Sequence, residues 1–443
     1  VSRQNPQPTR PADYKAQADR ILAAARDDGT AYARLGYLCD RIGNRLSGSP
    51  SLDAAIRWAC DEMRRDGFDA VAAEPVKVPR WVRGAESLEL VEPVRRPLVM
   101  LGLGGSVGTP PGGVTGEVVS VRSFAELETL GEAGVRGRIV LYNVPFTRYG
   151  ETVAYRSAGA SRAAKLGAIA ALVRSVTPVS LRTPHTGALR YADDAPRIPA
   201  AAVTIEDAES LSRMAARGDR VRVTLKMSAR TLADAPSANV VADLRGTERP
   251  DEIVVVGGHL DSWDVGQGAM DDGGGCLTAW SAVRLLKTLG LRPRRTVRVV
   301  LWTNEENGGR GGRGYAERHA AELGRHVLAI ESDGGVSRPL GFGVSGGGPE
   351  TLATAREIGA LLAPLGADKV TAGGGEADIA PLMQRGVVGM GLEVDMTHYF
   401  DIHHTPADTF DKIDRAELNK CVAALAVMSY VAADLPRRLD GKG

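Results

Sequence analysis

The chain has 443 residues, 43% of them hydrophobic, with 55 Lys and Arg against 54 Asp and Glu. That length admits two or three domains, the apolar content supports a buried core, and the balanced charge predicts neither a nucleic-acid nor a membrane footprint. No apolar run approaches the roughly 20 residues that span a bilayer. Cys39, Cys60, Cys276 and Cys421 are scattered, with no Cys-x-x-Cys pair. They read mainly as buried thiols, with Cys39–Cys60 as the best disulfide candidate.

Residues 1–12 carry three prolines and read as a loose arm. ADYKAQADRILAAARDD (12–28) sets Ala, Ile and Leu at three-to-four spacing, which predicts a helix. Further helices are expected near 30–43 and 52–66, the latter starting around Ser51 or Asp53. From about residue 68 the texture becomes extended. GLGGSVGTPPGG (102–113) is turn material and predicts a boundary. Residues 114–232 mix strands (GEVVSV, GRIVLYN, RVRVTLKM) with helices. They are expected to form an inserted α+β domain, leaving 1–113 and 233–443 as two parts of one larger domain.

From residue 239 strands and helices alternate. NVVADL, EIVVVGG, TVRVVLW, HVLAIES and VVGMGLE read as strands, with helices near 274–289, 312–323, 350–363 and 415–435. This predicts an α/β fold, a mainly parallel mixed sheet covered by helices on both faces. In such sheets the ligand site lies beyond the carboxyl ends of the strands.

The residues that carry chemistry recur at those ends. After EIVVVGG come His259 and Asp261, then Asp271 and Asp272. TVRVVLW is followed by Glu305 and Glu306, HVLAIES by Asp333, and VVGMGLE by His398, His403 and His404. Carboxylates gathered in one pocket need a cation, and mixed imidazole and carboxylate donors favour zinc over calcium or magnesium. Two His and three carboxylates exceed one open tetrahedral zinc and suit two metals about 3.5–4 Å apart, bridged by a carboxylate. Asp271, set among glycines, is best placed to bridge.

HLDSWD (259–264), GAMDDGGG (268–275), TNEENGG (303–309), ESDGG (331–335) and HTPADT (404–409), in this order, resemble the co-catalytic dizinc aminopeptidase/carboxypeptidase family. TPHTGALRY, RIPAAAVTIEDAE and LGLRPRRTVRVVLWT extend the likeness to about residues 12–436. The resemblance implies a zinc-exopeptidase, phosphorylase/hydrolase-like fold with an inserted protease-associated-like domain. It implies two Zn2+ per chain, with Asp271 bridging, His259 and Asp333 on one ion, and Glu306 and His404 on the other. His404 is preferred to His403 because it directly precedes the Thr-Pro-Ala-Asp-Thr run. Asp261 would hydrogen-bond His259 from behind, and Glu305 would be the general base. The implied reaction is hydrolysis of dipeptides or short peptides. A broader aminopeptidase and a receptor-like non-catalytic member stand as alternatives. A homodimer and export to the periplasm or outside are implied as well, a signal peptide having been removed before Val1. Asn304 stands where some relatives are expected to have a small residue, which points to pocket shape.

Other residues have plainer readings. Asp272 and Asp378 are expected to cap helices, His319 and His326 to be structural, and His403 to be a neighbour of the ligand. His185, His398 and Tyr399 are candidates for substrate contact. GGSVG (104–108) and GVSGG (343–347) match the nucleophile-elbow pattern without its strand–turn–helix context. DSWDVGQGAMDD lacks the spacing of a calcium loop.

Overall fold

A computed structural model describes residues 9–375 and 377–442, so most of the expected arm at 1–12 lies outside the described residues. Two compact units emerge. The first holds the chain up to Val78, Ala235–Tyr399 and the chain from Asp408; the second holds Pro79–Asp234 and Phe400–Ala407.

The first unit is built on an eight-stranded sheet. Its strands are β1 (Ala70–Val82), β2 (Arg230–Leu244), β3 (Arg249–His259), β4 (Arg295–Trp302), β5 (His326–Glu331), β6 (Pro339–Ser345), β7 (Lys369–Ala372) and β8 (Gly389–Val394). They lie in the order β1-β2-β4-β3-β5-β8-β6-β7. The centre is parallel, since β3 runs with β4 and β5, and β5 with β8; β2–β4 and β6–β8 are antiparallel. The sheet is therefore mixed with a parallel centre, as the alternating pattern predicts.

Alternate residues of β3 feed two cores. Val254 and Val256 join a large cluster with Leu277, Trp280 and Leu425, while Ile253 and Val255 join a smaller one with Tyr315 and Leu382. Burial on both faces explains the unbroken apolar run in EIVVV. Each such side chain contributes about 1.5–3 kcal/mol relative to leaving it exposed.

Helices Lys15–Asp27, Thr30–Tyr37 and Pro50–Arg65 fall where their periodicity places them. The last starts one residue before the expected Ser51, because Ser49 caps it by accepting the Leu52 N–H at 3.2 Å and Pro50 occupies the first turn. Helix Arg415–Asp434 corrects one expectation. It is 20 residues long and apolar enough by composition to cross a membrane, but 83% of its apolar window is buried inside the protein, as a core helix requires. Cys39 and Cys60 are both buried and free, so the Cys39–Cys60 disulfide is not formed.

The second unit carries its own eight-stranded sheet. Its order is Arg96–Leu98, Glu86–Glu92, Arg222–Met227, Val114–Val121, Ile139–Tyr142, Ala170–Arg174, Ala200–Val203 and Met100–Gly102. Residues 86–102 thus supply three of its strands, and the unit begins at Pro79. The turn-rich stretch at 102–113, expected to mark a boundary, lies inside this unit. Its Thr109 N–H donates to the Met227 carbonyl at 2.8 Å.

Candidate metal centre

β3, β4 and β5 end at nearly the same level, with His259 opposite Trp302 and Gly257 opposite Glu331. Three parallel strands therefore deliver His259, the 303–309 turn and Asp333 to one end of the sheet. The His259 Nε2 lies 3.1 Å from Asp271 Oδ1 and 3.2 Å from Asp333 Oδ1. These three donor atoms lie within 4.8 Å of one another, close enough to share one ion. One imidazole nitrogen with carboxylate oxygens is a donor set that fits zinc.

The imidazole is oriented from behind, though not as expected. His259 Nδ1 hydrogen-bonds the main-chain carbonyl of Asp261 at 2.9 Å, whereas the Asp261 carboxylate is 3.9 Å away. A carbonyl can only accept, so Nδ1 carries the proton and Nε2 faces the acidic cluster. The Asp261 carboxylate is engaged elsewhere, accepting the Glu305 N–H at 3.1 Å and the Ser47 hydroxyl at 3.1 Å.

Asp271 is placed by a clamp that lies 137 residues further along the chain. Asp408 Oδ1 accepts the N–H groups of Ala269 and Met270 at 3.0 and 2.6 Å, and its Oδ2 accepts that of Asp271 at 3.1 Å. Beneath, Asp272 Oδ2 accepts the His259 N–H and Oδ1 accepts the Gly275 N–H, both at 3.0 Å. Asp272 therefore caps the helix Gly274–Thr288, as expected, and also ties it to β3. Gly275 permits this packing, since a Cβ there would lie 1.8 Å from the Ser332 carbonyl. The Asp271–Asp272 peptide bond is cis.

Arg45 fastens the intervening loop. Fully buried, it donates from Nε to the Leu260 carbonyl (2.8 Å), from Nη1 to the Gly43 and Gln267 carbonyls (both 2.7 Å), and from Nη2 to that of Gly268 (2.9 Å). Glu306 is steadied by the Trp263 N–H, which donates to its Oε1 at 3.1 Å.

Electrostatics at the sheet end follow from burying several carboxylates together. Burial opposes charge on His259, but Asp333 and Asp271 outweigh it and hold the imidazole well above its usual range. Burial, opposed by His259 and reinforced by Asp333, Glu306 and Asp261, raises the Glu305 carboxyl to about 8. Burial likewise raises Asp261. A cluster that stabilises positive charge this strongly without a metal is suited to hold one.

The remaining expected residues divide clearly. Tyr399 is buried, and its hydroxyl is pushed up by burial and by Asp271, Asp333, Asp272 and Glu306, whereas His398 is exposed. Asp378 does not cap its helix. Its own N–H and that of Ile379 donate to Glu331 (3.2 and 3.4 Å), and among the described residues its carboxylate oxygens have no hydrogen-bond partner. His319 and His326 are structural, held by Glu74 at 3.0 Å and by the Tyr315 hydroxyl at 2.9 Å. His403, His404 and His185 belong to the second unit. There the rings of His403 and His404 stack at 3.5 Å, and His404 Nδ1 lies 3.3 Å from the Thr186 carbonyl. Burial, with His404 adding, lowers His185 to about 3. His404 takes a left-handed backbone conformation, φ 62°. Sequence reasoning missed Arg45 and Ser47 entirely, and saw Glu331 and Asp408 only as parts of motifs.

Residues 239–429 match Peptidase family M28. Carboxypeptidase Q of Xenopus laevis is 47% identical over 97% of this chain and 92% of its own length. The chain belongs to peptidase family M28. Human carboxypeptidase Q is 46% identical over 92% of this chain and 86% of its own. Among solved structures, a Peptidase M28 precursor from Shewanella amazonensis superposes with a TM-score of 0.93 at 34% identity, covering 97% of this chain and 98% of that one. A zinc aminopeptidase from Bacillus subtilis, with a TM-score of 0.70 and 21% identity over 93% and 96% of the two chains, shares the fold. With this membership and the His259, Asp271 and Asp333 cluster, the protein is a zinc-dependent exopeptidase of the family.

Proposed function

We propose that the protein hydrolyses free dipeptides or short peptides with two zinc ions, Glu305 acting as general base. The observation that carries the reading is the convergence of His259, Asp271 and Asp333 beside a half-buried Glu305, whose carboxyl its surroundings raise to about 8. In this assignment His259, Asp271 and Asp333 would hold one ion, and Asp271, Glu306 and His404 would hold the other. The His404 assignment rests on the HTPADT sequence alone.

When bound, zinc would supply Lewis acidity to the attacking water and to the scissile carbonyl. Glu305 takes the proton of the water as it attacks the carbonyl carbon, then gives it to the departing amine as the C–N bond breaks. Asp261 holds the Glu305 main chain through its N–H, which keeps the base within reach of that proton. His259, with Nδ1–H committed to the Asp261 carbonyl, offers only Nε2 as a ligand. The carboxypeptidase name of the relatives at 46–47% identity supports small-peptide substrates read at a terminus. A homodimer and an exported location accompany the proposal and rest on the sequence resemblance; sedimentation of the purified chain tests the first.

The test is a panel of free dipeptides beside their N-acetylated forms, with zinc content recorded before and after chelation and re-addition. Zinc-dependent cleavage of the free dipeptides alone is expected. Cleavage of the acetylated forms would move the assignment to a carboxypeptidase. Release of successive residues from long peptides would move it to a broader aminopeptidase.

A further inference from the structure

The turn that carries Glu305 is organised by a residue that never reaches the site. Asn304 is completely buried and takes a left-handed conformation, φ 67°, which Asn tolerates better than most side chains. Its Oδ1 accepts the Arg310 N–H at 3.1 Å, closing the loop. Its Nδ2 donates to Asn307 Oδ1 at 2.6 Å and to the Ser47 hydroxyl at 3.1 Å. Being buried in this turn, Asn304 acts through the backbone it holds.

Ser47 links that turn to Asp261. A carboxylate only accepts, so the single hydroxyl proton of Ser47 points to Asp261 Oδ2, and the hydroxyl oxygen is left to accept from Asn304 Nδ2. Asp261 Oδ1 in turn accepts the Glu305 N–H. Every donor in the series meets an acceptor: Asn304 donates to Ser47 and Ser47 to Asp261, while the Glu305 N–H donates to the same carboxylate from the other side. Asn304, Ser47 and Asp261 are each at most 1% exposed, so none can touch a substrate.

We infer that Ser47 and Asn304 are positioning residues for Glu305, fixing its backbone through the Asp261 carboxylate. The inference rests on Glu305 being the general base. Removing the Ser47 hydroxyl leaves one Asn304 N–H without its partner, withdraws one donor from the Asp261 carboxylate and frees the turn to shift. A base displaced by a fraction of an ångström still sits in a folded, metal-binding protein but takes its proton less often.

The experiment compares Ser47→Ala, Ser47→Thr and Asn304→Gly with the wild type and Glu305→Gln on one dipeptide that the wild type cleaves. Glycine keeps the positive φ at 304 and removes the side chain with its links to Ser47, Asn307 and Arg310, so it carries the test if Ser47→Ala does not fold. We expect kcat to fall about 10- to 100-fold in Ser47→Ala and Asn304→Gly with KM within about twofold and zinc content unchanged. Ser47→Thr should recover most of the loss. Independently of turnover, amide exchange across residues 303–309 should be several-fold faster in both variants and unchanged elsewhere. Wild-type kcat and exchange in both variants, with Glu305→Gln inactive, would overturn the positioning role alone, as would a fall in kcat that tracks loss of zinc. Full activity in Glu305→Gln would overturn the base assignment on which the role rests.

Discussion

Asp408 holds Asp271 by its main chain, its Oδ2 accepting the Asp271 N–H at 3.1 Å while its Oδ1 takes the two preceding N–H groups. The proposed bridging carboxylate is therefore oriented through its backbone by a second carboxylate. In Asp408→Asn one side-chain oxygen becomes an NH2 group, so a donor must face a donor at one of three positions. Zinc content should fall below that of the wild type and kcat about 10- to 100-fold. Metal analysis and kinetics on the purified variant check this, and unchanged values of both would refute it.

Glu305→Gln keeps the shape of the side chain and removes the base. Zinc binding and melting temperature should be preserved and kcat should drop about 10²- to 10⁴-fold. Turnover near the wild-type rate with zinc bound would end the assignment.

The metal-free protein should lose stability as pH rises. Its Glu305 carboxyl lies at about 8 and Asp408 at about 7, against ordinary values of 4.5 and 3.8. Burial is the first cause at both. A folded-state value above the unfolded one gives a contribution that is complete below the unfolded value and lost as pH climbs through the folded one. Melting temperature without zinc should thus decline between about pH 5 and pH 8.5, while zinc, whose positive charge nearby favours the ionised form of these carboxyls, should flatten or reverse the trend. Calorimetry with and without chelator decides it; a zinc-free melting temperature that rises over this range would contradict the sign.

All four cysteines are buried and free, and burial pushes the Cys39 and Cys421 thiols up to about 12. A thiol-specific reagent should therefore label none in the native protein and all four after denaturation without reductant. Fewer than four on unfolding would reveal a disulfide.

Much of the site was legible because strand ends and ligand types coincide. EIVVVGGH reads as a doubly buried strand delivering a histidine, and TVRVVLWTNEE as its neighbour delivering carboxylates. The limits of the second unit were not legible, because ESLELV pairs with Arg222–Met227, a partner more than 100 residues away that no local pattern announces. The Asp261 side chain was misread for a related reason. Spacing put it two residues from His259 but could not say whether carbonyl or carboxylate would turn back. Asp378 looked like a cap by position, but the neighbouring strand supplied Glu331 for that task.

Arg45 lies 215 residues before Leu260 and 223 before Gly268, whose carbonyls it satisfies. The stretch matched to the family, 239–429, therefore excludes a side chain that its own loop is folded around. Cut out by itself, that stretch would carry all five motifs that hold the proposed metal ligands and leave several main-chain carbonyls facing a hole in the shape of a guanidinium. On the ribosome the same arithmetic sets a schedule, since Arg45 emerges early and waits in water, and the loop that will bear the metal acquires its shape only once the two ends of this long interval have met.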